Sequence, residues 1–226
     1  MIVHCLFEQS GTFRDAFRRL GFKSYDYDID NQFGKTDYQI DLFSEIEKAT
    51  RNEASIFDNI NQDDLILAFF PCIRFSAVIM KEFNNRSKVG IQQKLEYAKK
   101  LNKEQQELFW LICDLFMLAD NRKLKLIVEN PYTQPHYLTY YFPIKPSVID
   151  MDRRILGDKF KKPTQYWFVN IQANDNKLHR PFEFGKQKNY VTVDNISKGI
   201  DRSLIAQEYA ENFIKKYILD ESGGIS

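Results

Sequence analysis

A cysteine at the end of a buried strand is the residue with the most reactive potential in this chain. Cys72 stands in Phe70-Pro71-Cys72, directly after the apolar run 65–70. A thiolate is the strongest common side-chain nucleophile, and a strand end is where a nucleophile meets a ligand. Position alone leaves the bland alternative open, a small apolar residue at a turn. Cys5, in mid-strand, and Cys113, on a periodic helix, take that inert reading. Glu129-Asn130-Pro131 closes the next buried run, 124–128. A carboxyl beside a cleft can stay protonated in a low dielectric and donate a hydrogen bond. Asn-Pro is also an ordinary strand breaker, so this pair by itself decides nothing.

Two further groups point to a ligand. Glu8-Gln9-Ser10-Gly11 turns the first apolar run, 2–7, into a helical pattern with Phe13, Ala16, Phe17 and Leu20. A glycine there permits positive φ and close approach of the backbone, and a helix N-terminus favours a carboxylate. Asp28 and Asp30 follow about 20 residues on, at the end of the second strand, where an acid commonly holds ribose hydroxyls. Together they suggest a nucleoside-type cofactor. The alternative is an ordinary βαβ opening with solvated acids.

The elements that must position these residues can be read from periodicity. Strands are expected over 2–7, 23–28, 38–42, 65–70, 124–128, 148–151 and 165–169, and helices over 13–20, 91–101, 104–119 and 203–218. Strands alternating with helices imply an open, mostly parallel α/β sheet. Ligands bind outside the carboxyl ends of such strands. Glu8–Gly11, Asp28–Asp30, Asp41, Pro71-Cys72 and Glu129-Asn130 then share one edge. We expect a single domain over 1–219 and a frayed polar tail over 220–226.

Composition narrows the function classes. With 226 residues, 43% of them hydrophobic and 15% aromatic, the chain can bury a real core, so a disordered protein is excluded. A net charge of +1 excludes a uniformly basic nucleic-acid coat. The balance is uneven, however. Residues 1–65 hold thirteen acids against seven bases, net −6, and residues 74–103 hold eight bases against two acids, net +6. The second stretch attracts a polyanion, unless both are simply solvated faces. Three cysteines without metal spacing, no secretory leader and no apolar run of bilayer length lead us to expect a cytoplasmic protein without a metal.

Taken in order, these segments resemble the DNA (cytosine-5) methyltransferases, most closely the short phage-type methylase-like proteins. Leu6-Phe7-Glu8-Gln9-Ser10-Gly11-Thr12-Phe13-Arg14-Asp15-Ala16-Phe17 resembles their S-adenosylmethionine motif. Tyr27-Asp28-Ile29-Asp30 resembles the ribose motif, and Asp41 the next acidic one. Asp64 to Cys72 resembles the Pro-Cys motif, Leu126 to Pro131 the Glu-Asn motif, and Gly157-Asp158 with Lys161-Lys162-Pro163-Thr164 and Trp167 a phage-type signature. Asp201-Arg202-Ser203-Leu204-Ile205-Ala206 resembles a C-terminal motif that returns to the cofactor. The Arg-rich motif of the family has Arg153-Arg154 as its nearest match.

The resemblance implies a Rossmann-like sheet of the S-adenosylmethionine-dependent methyltransferase type. It implies S-adenosylmethionine as cofactor, held by Phe7, Glu8, Ser10, Gly11, Thr12, Phe13, Asp28, Asp30, Asp41, Pro71 and Ser203. It implies methyl transfer to C5 of cytosine in DNA, with Cys72 as nucleophile, Glu129 bonded to the base and Asn130 shaping the turn. Arg74, Ser76, Lys94, Lys99, Lys161 and Lys162 are the expected phosphate contacts. No separate target-recognition domain is expected, so double-stranded DNA is bound with weak sequence preference, or a partner protein supplies recognition. Three rivals stay open: an amino-methyltransferase using Asn130-Pro131-Tyr132, an enzyme of free pyrimidine nucleotide or RNA, and a non-catalytic binding remnant.

Overall fold

The computed structural model describes residues 1–76, 90–133, 136–176 and 204–225. Seven strands form one sheet in the order β3-β2-β1-β4-β5-β7-β6. They are β1 (Ile2–Leu6), β2 (Lys23–Asp28), β3 (Tyr38–Gln39), β4 (Leu65–Ala68), β5 (Lys125–Pro131), β6 (Val148–Asp150) and β7 (Thr164–Val169). β1 to β5 run parallel, while β7 is antiparallel to both of its neighbours. This is the expected open, mostly parallel α/β sheet, Rossmann-like in layout.

Alternation of side chains sends each strand into two cores. Val3, Cys5, Leu65, Leu67 and Ile127 face α1 (Thr12–Arg19) and α5 (Gln207–Phe213). Leu6, Ile66, Ala68, Leu126 and Val128 face α2 (Leu42–Thr50), α3 (Ile91–Arg122) and α4 (Tyr137–Tyr141). Both faces of the sheet are therefore covered, which is why the central strands read as unbroken apolar runs.

Several expectations need correcting. α2 was not expected, because its short pattern hides among acids. Asp41 is its N-cap, its Oδ1 accepting from the N–H of Phe43 and Ser44. The expected helices 91–101 and 104–119 are one helix of 32 residues, since Asn102 and Lys103 carry no breaking signal. The strand expected over 38–42 is only Tyr38–Gln39 because that cap begins at Asp41. The tail is not frayed through Ile225. Asp220 Oδ1 accepts from Ser222 and Gly224, Leu219 bridges Ile225, and Ile225 is buried. No helix among the described residues is long and apolar enough to cross a membrane.

Candidate active site

The chain runs from β1 outward to β2 and β3, then returns to place β4 on the other side of β1. The loops after β1 and β4 diverge from this switch point and open a crevice at the carboxyl ends of the strands. A cleft of about 190 Å³ lies there. Phe7 to Ser10 form one wall and Phe69 to Cys72 the other. Glu129 and Pro131 come in from β5, Lys162 from the loop before β7, and Leu204 and Ile205 from the chain entering α5. Cys72 and Glu129, 57 positions apart in sequence, thus line one cavity.

The turn after β1 is built from inside. Phe7 has φ 59° and Gly11 φ 69°. A Cβ on Gly11 would stand 2.3 Å from Arg14 Nη2. Arg14 cannot easily yield, because Nε bonds Asp15 at 2.9 Å and Nη1 bonds buried Asp26 at 2.8 Å. Glycine at position 11 is therefore demanded twice over, by φ and by space.

Glu8 changes the reading of this turn. Its carboxylate folds over the start of α1, where Oε1 accepts from Phe13 N–H at 2.6 Å and Oε2 from Arg14 N–H at 3.2 Å. The anion site expected for a ligand carboxylate is thus filled by the protein's own. Burial pushes the Glu8 carboxyl up to about 7, against the pull of those two N–H donors. Ser10 Oγ lies 3.0 Å from Thr12 Oγ1. Gly11, Thr12 and Phe13 back the turn rather than line the cleft, and Phe13 is core, packed on Phe69 and Phe213.

The Cys72 loop is held at both ends. Cys72 C=O accepts from Phe75 N–H at 2.9 Å and Ser76 N–H at 3.2 Å. Asn130 is fully buried and donates Nδ2–H to Phe70 C=O at 2.7 Å, tying the end of β5 to the loop after β4. Asn130 therefore positions Pro71-Cys72 and does not line the cleft. Burial raises the Cys72 thiol above its ordinary value; the Lys162 charge draws it down and Glu129 pushes it up. Lys162 is steadied through its backbone, with Thr164 Oγ1 donating to its C=O and Tyr132 N–H to Pro163 C=O.

Behind Glu129, Tyr166 is its register partner on β7. Tyr166 and Tyr209 share a 2.8 Å hydroxyl contact, and Tyr209 donates to Asp150. Arg153 is fully buried over the Tyr209 ring, its Nη2 2.5 Å from Asp158 Oδ2. Among the described residues the Arg153 guanidinium nitrogens make no aligned hydrogen bond, so Asp158 balances its charge rather than its donors. Arg154 is chelated by Asp152. Neither arginine lines the cleft.

Other expected residues lie elsewhere. Asp28 is half-buried at the end of β2, accepting from Asp30 N–H at 2.8 Å, next to Phe7 across the strand pair. Asp28, Asp30 and Asp41 flank the cleft without lining it. Arg74 turns away, its guanidinium on Glu104 and its C=O accepting from Gln105. Lys94 and Lys99 are exposed on the first half of α3, and Lys161 is exposed beside Lys162. Ser203 lies outside the described residues, as do 77–89 of the basic stretch. Phe33 and Phe69 line the cleft and were not expected. The signal for Phe33 was an aromatic inside the turn Asn31-Gln32-Phe33-Gly34.

A larger cavity of about 690 Å³ lies on the far side of Pro71, between α2 and α3. It carries Glu47, Glu104, Glu107 and Asp114 but no nucleophile, so the smaller cleft is the one equipped for chemistry. No cluster of metal-ligating side chains occurs among the described residues. No protein-family model matches the sequence, and no curated protein matches it significantly.

Proposed function

We propose that this chain transfers a methyl group from S-adenosylmethionine to C5 of cytosine in DNA through a covalent adduct on Cys72. One observation carries the reading: a cysteine and a glutamate from neighbouring parallel strand ends line the same cleft at the topological switch point.

The residues present suit the cofactor by charge. Two carboxylates, Glu8 and Glu129, line the cleft, and the α1 N-terminus is already capped by Glu8. Such a cleft favours a ligand carrying ammonium and sulfonium charge. At about 190 Å³ it is smaller than the roughly 300–1,000 Å³ of whole-ligand pockets. It would hold the reactive end, and Asp28 and Asp30 beside it would hold the nucleoside hydroxyls. S-adenosylmethionine bound there supplies an electrophilic methyl group.

The protein's part follows from its own groups. A duplex buries the base, so the cytosine must be turned out of the stack to meet Cys72. Cys72 loses its proton to solvent, the Lys162 charge favouring the thiolate, which adds to C6. Glu129 hydrogen-bonds the N3 side of the ring and, as general acid, stabilises the electron-rich ring as C5 becomes nucleophilic. After methyl transfer, loss of the C5 proton expels Cys72 and restores the aromatic ring. Asn130 keeps the thiol in place. Its burial and its bond to Phe70 also weigh against the amino-methyltransferase rival, which needs that side chain at the substrate.

Incubation with isotopically labelled S-adenosylmethionine and DNA, RNA or free pyrimidine nucleotide, read by mass spectrometry, tests the proposal. Label at cytosine C5 of DNA is expected, as is a covalent adduct with 5-fluorocytosine DNA. Label on an exocyclic amine, on RNA or nucleotide alone, or on nothing replaces it with one of the three rivals.

A further inference from the structure

α3 is amphipathic toward the sheet, with Leu101, Leu108, Ile112, Leu115 and Ala119 buried. On another face it exposes three large apolar side chains: Leu95 is 59% exposed, Trp110 56% and Met117 53%. They belong to one stripe. Positions 95, 99, 102, 106, 110, 113 and 117 recur at steps of four or three, eleven residues for three turns, so all stay on one side of a straight helix.

We propose that this stripe is the interface of a homodimer, in which two copies of α3 pack antiparallel about a two-fold axis at Gln106. The stripe is symmetric about that residue. Leu95 and Met117 each lie eleven positions from it, Lys99 and Cys113 seven, and Asn102 and Trp110 four. An isologous interface requires this property, each patch meeting its own reverse. Leu95 of one copy then packs on Met117 of the other, and Trp110 over Asn102.

Charge selects the direction. Residues 91–103 hold Lys94, Lys99, Lys100 and Lys103 against Glu96, net +3. Residues 104–120 hold Glu104, Glu107, Asp114 and Asp120, net −4. Antiparallel pairing sets the basic half of each helix against the acidic half of the other; parallel pairing would set like against like. Lys99 stands opposite Cys113, and its long side chain reaches toward the neighbouring Asp114. Neither Lys99 nor Asp114 has an ion pair among the described residues, whereas Lys100 and Lys103 already face Glu104 and Glu107. The acidic half also disfavours nucleic acid on this face. The inference stands whether or not the chain is a methyltransferase.

Sedimentation equilibrium of the full chain over a wide concentration range tests it. We expect a mass of twice 26.8 kDa at the upper end. Trp110→Asp yields monomer. Lys99→Glu and Asp114→Lys each weaken association roughly tenfold, since each change turns two symmetry-related attractions into repulsions. An equimolar mixture of these two variants recovers it, because in the mixed dimer one crossed pair re-forms with its signs exchanged and the other is the original Lys99–Asp114 pair. Lys99 is exposed, so its reversal tests the proposal even if Trp110→Asp misfolds, whereas Asp114 is half-buried on the cavity wall toward α2. A monomer at every concentration, or a dimer that both charge reversals leave intact, overturns it.

Discussion

The two ends of the sheet are built from similar residues and behave differently. At the amino end Asp64 is buried and saturated: its carboxylate accepts from Ile2 N–H at 2.6 Å, Asn61 N–H at 3.0 Å and Asn61 Nδ2–H at 3.1 Å. Burial alone would raise this carboxyl, but the donors prevail and hold it below its ordinary value. At the carboxyl end Glu8 is as buried yet rises to about 7, the Cys72 thiol is raised, and Gln9 Oε1 and Asn130 Oδ1 have no hydrogen-bond partner among the described residues. Asp64 is saturated even though His4 Nε2, 4.0 Å away, has no hydrogen bond among the described residues; a saturated carboxylate at one end and under-paired groups at the other separate an end that closes the fold from one that keeps capacity for a ligand.

The largest expected effect is at the carboxyl end. Cys72→Ala abolishes both turnover and trapping by 5-fluorocytosine DNA, while cofactor binding by calorimetry survives. Asp64→Ala, at the amino end, leaves three donors unpaired and costs about 1–3 kcal/mol of stability in denaturant unfolding. Its rate per folded molecule stays unchanged. Retained turnover in Cys72→Ala, or loss of it in a folded Asp64→Ala, would erase the distinction between the ends.

Glu129→Gln keeps shape but cannot deliver a proton, so turnover falls by about 10²-fold or more with the fold intact. An unchanged single-turnover rate would make Glu129 a structural end of β5.

Glu8 gives a pH signature with a definite sign. A carboxyl raised in the folded state adds stability below its unfolded pKa, and that stability is lost as pH rises through about 7. The protein without ligand should lose on the order of 1–3 kcal/mol from this group between mildly acidic and mildly alkaline pH. Over the same range affinity for the cationic cofactor should rise, as Glu8 ionises. Glu8→Gln should flatten both, read by thermal melts and calorimetry. Parallel curves for the two proteins would refute the role.

The smallest effect concerns DNA. Neutralising Lys161 and Lys162 together should lower the log–log salt slope of binding by up to about 2. Neutralising Lys94 and Lys99 should leave it unchanged, because they stand on α3 away from the cleft. The reverse result would move the phosphate track to α3.

The sequence alone carried the strands, because a buried parallel strand is a local signal: a short apolar run bounded by turn residues. It also carried Pro71-Cys72 and Glu129-Asn130 as strand ends, and the glycine turn before α1. These depend on near neighbours and survive being read in isolation. It did not carry α2, where the apolar face is short, or the continuity of α3, where nothing local separates one long helix from two. Nor did it show that Asn130 is a strut, that Arg74 is engaged by Glu104, or that Glu8 closes the helix terminus reserved for a ligand. Arg74 to Glu104 and Asn130 to Phe70 span 30 and 60 residues. Such contacts exist only once the sheet has brought the segments together, and a carboxylate reaches the free N–H groups of α1 only when positive φ at Phe7 and Gly11 folds the turn back. Tertiary structure therefore decided which charged groups remain available, because availability is what is left after every distant partner has been found.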